Sequence, residues 1–246
     1  MPFGLGPGAS LWLALALFVA AFVRGYSGFG FAALAVSSAG LVTNPLNLVP
    51  VVILADFTLT AFQFRSIRSG IDRRRVLFLI AGALPGVPLG VWAVGAVGSD
   101  HARAAISVYV LAMCAVLWSG WTLRRAAGGP AHAGIGVISG IANGAAVGGL
   151  PVAAFFAAQP IPAATFRATL IAYFTLLDMW TLPVLGHAGL ITRETLTATA
   201  MGLPLMMVGV WLGSRHFLGT SPQNFRRFAI VLLAGLACLG LLKSVL

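Results

Sequence analysis

Arg24 stands alone as a charge within a long apolar run and is followed at once by Gly25-Tyr26-Ser27-Gly28-Phe29-Gly30. If a helix begins near Ser10, Arg24 lies ~21 Å along it at about 1.5 Å per residue. At such a depth in lipid a charge costs on the order of 2.5–3.5 kcal/mol, so it must face a cavity or a partner. The glycines weaken the helix, and a helix restarting near Gly28 would aim its positive end inward. Arginine beside a helix N-terminus suits an oxyanion. The competing reading pairs Arg24 with Asp56 or Asp178, or lets it reach an interface. A second interruption, Asn143-Gly144-Ala145-Ala146-Val147-Gly148-Gly149-Leu150-Pro151, offers amide donors without fixed charge. The candidate substrate-binding set is therefore Arg24, Gly25, Ser27, Gly28, Phe29, Gly30, Asn143, Gly144, Gly148 and Gly149. Asp56 and Asp178 are the acidic residues inside apolar segments, each suited to a coupling proton, a cation or a structural ion pair. Arg167 opens a later segment and suits either a pathway mouth or an ordinary interfacial arginine.

These residues must be positioned by elements that lipid tolerates. The chain has 246 residues, 59% hydrophobic and only 8% charged, with a mean hydropathy of +0.99. A soluble domain is about 25% charged, so a soluble enzyme, a nucleic-acid-binding module and a disordered chain are poor fits. The net charge of +10 comes almost wholly from arginine, which in a membrane protein marks cytoplasmic loops. The first 23 residues lack Lys and Arg, so the basic region of a cleavable signal peptide is missing from them. Eight apolar segments are predicted at about 10–42, 46–64, 76–98, 104–122, 133–158, 167–187, 196–213 and 228–246. Each approaches the ~20 residues a spanning helix needs. The first and fifth are broken by their glycine clusters. The fold class expected is an all-α polytopic membrane protein.

An offset of 119 residues superposes the two halves of the sequence without gaps. Leu84-Pro85 falls on Leu203-Pro204, Gly90-Val91-Trp92 on Gly209-Val210-Trp211, and Gly25 and Gly30 on Gly144 and Gly149. Two repeats are expected, 1–125 and 126–246, each of four segments with a broken or re-entrant first segment. If every segment crosses once, basic residues divide nine against five between the two sides. If the first and fifth segments return to the side they entered from, the division becomes eleven against three. The positive-inside rule favours the second arrangement, an inverted repeat with both termini outside. Eight plain crossings with parallel halves remain the alternative. Gly82, Gly86 and Gly90, and Gly136, Gly140, Gly144 and Gly148, recur every fourth residue, the spacing of small faces for close helix packing. Such faces could serve a homodimer or be used within one chain.

Cys114 and Cys238 lie in apolar stretches, the four histidines lack ligand spacing, and Lys243 is the only lysine, so no metal, cofactor or phosphate-loop site is expected. The two broken elements resemble the TauE/SafE sulfite exporter family. The likeness rests on Gly25-Tyr26-Ser27-Gly28-Phe29-Gly30 and on the stretch from Ser139 to Pro151, and extends through the Gly- and Pro-rich spans after each. It implies a permease for sulfite, organosulfonates or related small sulfur-containing anions. Arg24 departs from it, because many members carry an apolar or small residue there. The expectation is a secondary transporter in the cell inner membrane, working by alternating access around a midplane site, with H+ or Na+ as coupling ion and no nucleic-acid partner. The alternatives are a passive anion channel and a non-transport membrane subunit or intramembrane enzyme. Replacing Arg24 with Gln is expected to remove saturable flux and leave folding intact.

Overall fold

The computed structural model describes residues 2–67, 70–217 and 222–245. Arg68 lies outside them, as do the side chains of Arg65, His216, Arg226 and Arg227. The chain is 81% helical, with no strand among the described residues. Its helices are α1 (Pro7–Ser27), α2 (Phe31–Ala39), α3 (Leu48–Ile67), α4 (Arg73–Gly95), α5 (Ser99–Trp118), α6 (Gly129–Asn143), α7 (Gly149–Ala157), α8 (Ala163–His187), α9 (Arg193–Phe217) and α10 (Pro222–Val245). Among the described residues, five are long and apolar enough to cross a bilayer: α1, α4, α5, α8 and α9. The molecule is a multi-pass membrane protein.

Both segments with glycine clusters are broken. Helix α1 ends where Gly28 turns left-handed (φ 81°) and donates its N–H to Arg24 O, a conformation with no Cβ penalty in glycine. Gly30 is also left-handed (φ 90°), so α2 restarts at Phe31 rather than near Gly28. The second break uses no positive-φ glycine; Ala146 takes that role at φ 56°.

In each case the chain doubles back. Trp12 Nε1, near the start of α1, donates to Ser38 O at the end of α2 (3.1 Å). His132, in the first turn of α6, packs its ring edge-on against Phe155 and Phe156 near the end of α7. Ala127 N donates to Gln159 Oε1 across the mouth of the same hairpin (3.0 Å).

Glycines set the tightest helix contacts. A Cβ on Gly82, Gly86 or Gly90 of α4 would sit 1.9, 2.6 or 2.1 Å from the carbonyl oxygens of Ala133, Val137 or Ile141 of α6. Gly136 and Gly140 of α6 lie just as close to Leu79 O and Ala83 O. The paired residues ascend together, so α4 and α6 run parallel. The same seam joins α1 to α9, where Gly209 meets Phe18 O and Gly213 meets Phe22 O. The offset of 119 holds here too: Gly25 abuts Val210, and Gly144 abuts Gly90 and Val91. The glycine faces considered for a dimer are thus buried within one chain.

The equivalent helices α3 and α8 run antiparallel. Asp56 of α3 meets Asp178 of α8, while Gly70, beyond the end of α3, meets Ala164 and Ala168 near the start of α8. Helices α5 and α10 also run antiparallel, since Cys114 contacts Ile230 and Ser107 contacts Gly240. The starts of α4, α6 and α8 gather at one end of the molecule with Arg73, Arg74, Arg75 and Arg167. Arg103 lies at the other end, beside Gly40, as does Lys243, which donates to Leu41 O.

Candidate functional site

The tips of the two hairpins meet α3 and α8. There a cavity of about 40 Å³ is lined by Arg24, Gly28–Ala33, Ile53, Asp56, Asn143, Ala146, Gly149, Leu150, Phe174 and Asp178. A water needs about 10–15 Å³ of such space, so the cavity holds a few waters or one small ion. Both sequence halves contribute to it. A larger space of about 370 Å³ between α4, α5 and α6 is walled by Ala, Val, Ile and Gly with Tyr109, which offers little to an anion.

Arg24 is 2% exposed. Its Nε forms an ion pair with Asp56 Oδ1; its Nη2 donates to Asp56 O (3.2 Å) and Thr60 Oγ1 (2.5 Å). The structural ion pair is thus the arrangement found, and Asp56 rather than Asp178 is the partner. This changes the expectation for Arg24→Gln, because the substitution would leave the Asp56 carboxylate unpaired in the core, a loss of about 3–5 kcal/mol. Folding would not be spared.

The Asp178 carboxyl group lines the cavity beside Asp56 and interacts with it electrostatically. It is 3% exposed, and its Oδ2 has no hydrogen-bond partner. Asn143, the last residue of α6, donates from Nδ2 to Thr181 Oγ1 (2.9 Å), and Thr181 in turn donates to Leu177 O (2.8 Å). The remaining polarity comes from backbone. Helices α2 and α7 both start at the cavity, so their first-turn N–H groups, unpaired inside their own helices, cluster around it.

Several sequence candidates stand outside this cavity. Gly25, Gly144 and Gly148 serve close packing: a Cβ on them would lie 2.3, 2.2 and 2.3 Å from Val210 O, Gly90 C and Ser139 O. Ser27 braces the turn, donating to Val23 O (2.8 Å) and accepting from Phe29 N (3.3 Å). Arg167 donates to Gly25 O (2.7 Å) and Ser214 Oγ (3.2 Å). It places a cation at the C-terminal end of α1, where the helix dipole is negative, and lines no part of the cavity.

Sequence reasoning missed Thr60, Thr181, Tyr173 and Ser139. The Tyr173 hydroxyl donates to Ser139 Oγ (2.8 Å), which donates to Gly148 O (2.7 Å), so this chain of bonds fixes the second break from α8. Thr60 and Thr181 carried a faint signal, one turn after Asp56 and Asp178 respectively. No group of His, Cys, Asp or Glu with metal-site geometry occurs among the described residues.

Two broken helical elements thus close on one small cavity. The family model described as Sulfite exporter TauE/SafE matches residues 13–239, from the first helix to the last. The chain belongs to the TauE/SafE family. As a TauE/SafE member it falls among membrane transporters of sulfur-containing anions. No curated protein and no solved structure matches the chain.

Proposed function

We propose that this TauE/SafE member is a secondary transporter that carries a small monovalent sulfur oxyanion, a sulfonate or hydrogensulfite, through the cavity at the hairpin tips. The observation that carries this reading is the convergence of the α2 and α7 N-termini on that cavity. A helix N-terminus is equivalent to about half an elementary charge, so two together match one monovalent anion. Arg24 is committed to Asp56 and orders the wall rather than serving as the anion's main counter-charge. Gly28, Gly30 and Gly149 let backbone approach the guest closely, while Asn143 supplies a side-chain amide and Phe29 closes the apolar side.

The halves form an inverted repeat, and each hairpin is re-entrant. The antiparallel courses of α3 against α8 and α5 against α10 support this, as do the Trp12–Ser38 and His132–Phe155 contacts. The arginine-rich end faces the cytoplasm by the positive-inside rule, and the protein resides in the cell inner membrane. Alternating access arises as helices on either side of the hairpin tips rock about the fixed site.

The test is counterflow in proteoliposomes with labelled methanesulfonate and labelled sulfite. Saturable, trans-stimulated uptake is expected for at least one. Uptake of both that stays linear with concentration and insensitive to trans anion would overturn the carrier reading.

A further inference from the structure

The cavity contains more acid than its arginine can balance. Asp56 is engaged by Arg24, and the second carboxyl group, Asp178, lies against Asp56 with its Oδ2 buried and unpartnered. Two ionised carboxylates have no donor between them, since each is then acceptor-only, and their like charges repel at contact. One proton resolves both problems. With that proton on the pair, Arg24, Asp56 and Asp178 sum to zero. Without it, they leave a full negative charge on the wall of the cavity read above as the anion site.

Among the described residues the other positive potential at the cavity is that of the α2 and α7 N-termini, for which an ionised Asp178 and the anion would compete. Helix α3 presents Asp56, and α1 presents Arg24. Helix α7 has no titratable residue. On α6 the titratable group is His132, held to Gly128 O (2.8 Å) at the far end of the helix. Before α4, Asp72 N donates to Thr169 Oγ1, more than two turns from Asp178, while Arg74 and Arg75 lie over the Phe78 and Phe156 rings. On α8 itself, Tyr173 is bonded to Ser139, Arg167 is turned to Gly25 and Ser214, and His187 ends the helix more than two turns beyond Asp178.

We infer that Asp178 is the proton carrier of this transporter: a proton shared with Asp56 must be present for the anion to bind, so anion and proton cross together. This rests on the transport reading above and adds its coupling ion. Linkage makes the dependence mutual: if the proton strengthens anion binding, the anion strengthens proton binding by the same factor. The proton enters from water on one side, resides on the carboxyl pair, and leaves to water on the other. For a monovalent anion the cycle moves no net charge.

The experiment measures methanesulfonate binding to purified protein between pH 5 and pH 9, with and without Na+, followed by flux into vesicles containing a pH dye. Methanesulfonate stays ionised throughout, so any slope belongs to the protein. The wild type is expected to lose affinity with rising pH by up to about tenfold per unit, as one linked proton requires. Asp178→Asn, neutral and of the same shape, is expected to bind with a flat profile. In vesicles, methanesulfonate entry is expected to acidify the lumen. A flat wild-type profile, a sloping Asp178→Asn profile, dependence on Na+ instead of pH, or flux without acidification would each overturn the proton assignment while leaving anion transport standing. Absence of binding and flux for methanesulfonate and sulfite alike would remove the transport reading, and the proton assignment with it.

Discussion

Arg24 and Asp56 are 32 residues apart in sequence and share the most buried ion pair of the described residues. Because the pair is desolvated, removing one partner costs far more than removing both. Arg24→Gln is therefore expected to lower stability by about 3–5 kcal/mol, while Arg24→Gln with Asp56→Asn recovers most of that loss. Thermal unfolding of the detergent-solubilised variants checks this. A double variant no more stable than the single one would mean that the guanidinium matters for some contact other than the ion pair. The sequence announces Arg24 as buried, since an arginine inside an apolar run has few other options. Its partner was not legible, because Asp56 and Asp178 are equally plausible until α3 and α8 are brought side by side. Asp178 illustrates the same gap. That the two acids touch follows from an antiparallel pairing of helices distant in sequence, which no local pattern encodes.

Among the elements, the α4–α6 and α1–α9 seams depend on glycine where carbonyl oxygens of one helix lie against the Cα of the other. Gly82→Ala would place a Cβ 1.9 Å from Ala133 O, and Gly140→Ala 2.5 Å from Ala83 O. Backbone atoms cannot rotate away, so each substitution is expected to cost at least the 1–3 kcal/mol typical of overpacking. Gly134→Ala, on the same α6 but with nothing within 4 Å, is expected to be neutral or stabilising by up to about 1 kcal/mol through helix propensity. Comparing the three unfolding midpoints tests the seam directly; equal effects at 134 and 140 would discount it. The spacing of glycines disclosed that α4 and α6 each carry a packing face. It did not disclose that the faces meet one another, because a four-residue period says nothing about the identity of the opposite helix. Both breaks were legible from Gly28, Gly30 and Gly148-Gly149. The restart at Phe31 was not, since it depends on left-handed glycines on either side of Phe29; nor was the turn of the second break at Ala146.

At the scale of the molecule, the hairpins decide the topology. If α6 and α7 enter and return, the loops before and after them lie on one side of the membrane. Single cysteines at Arg125 and Pro160, both exposed, are then expected to react with an impermeant maleimide from the same side in a background lacking Cys114 and Cys238. Labelling from opposite sides would restore the plain-crossing topology. The arginine distribution in the sequence favours this arrangement, because only a returning segment gathers Arg124, Arg125, Arg167 and Arg215 together. What composition could not reveal is how the two ends of the chain are woven together. The first leg of each hairpin is seamed not to its own half but to a helix of the other, α1 to α9 and α6 to α4. Severed at the middle loop, neither fragment would possess a finished interface, and each would present a row of bare glycines to lipid. The two pieces are obligate companions, like clasped hands rather than neighbouring beads, and whatever shifts during turnover must carry segments from both ends of the gene at once.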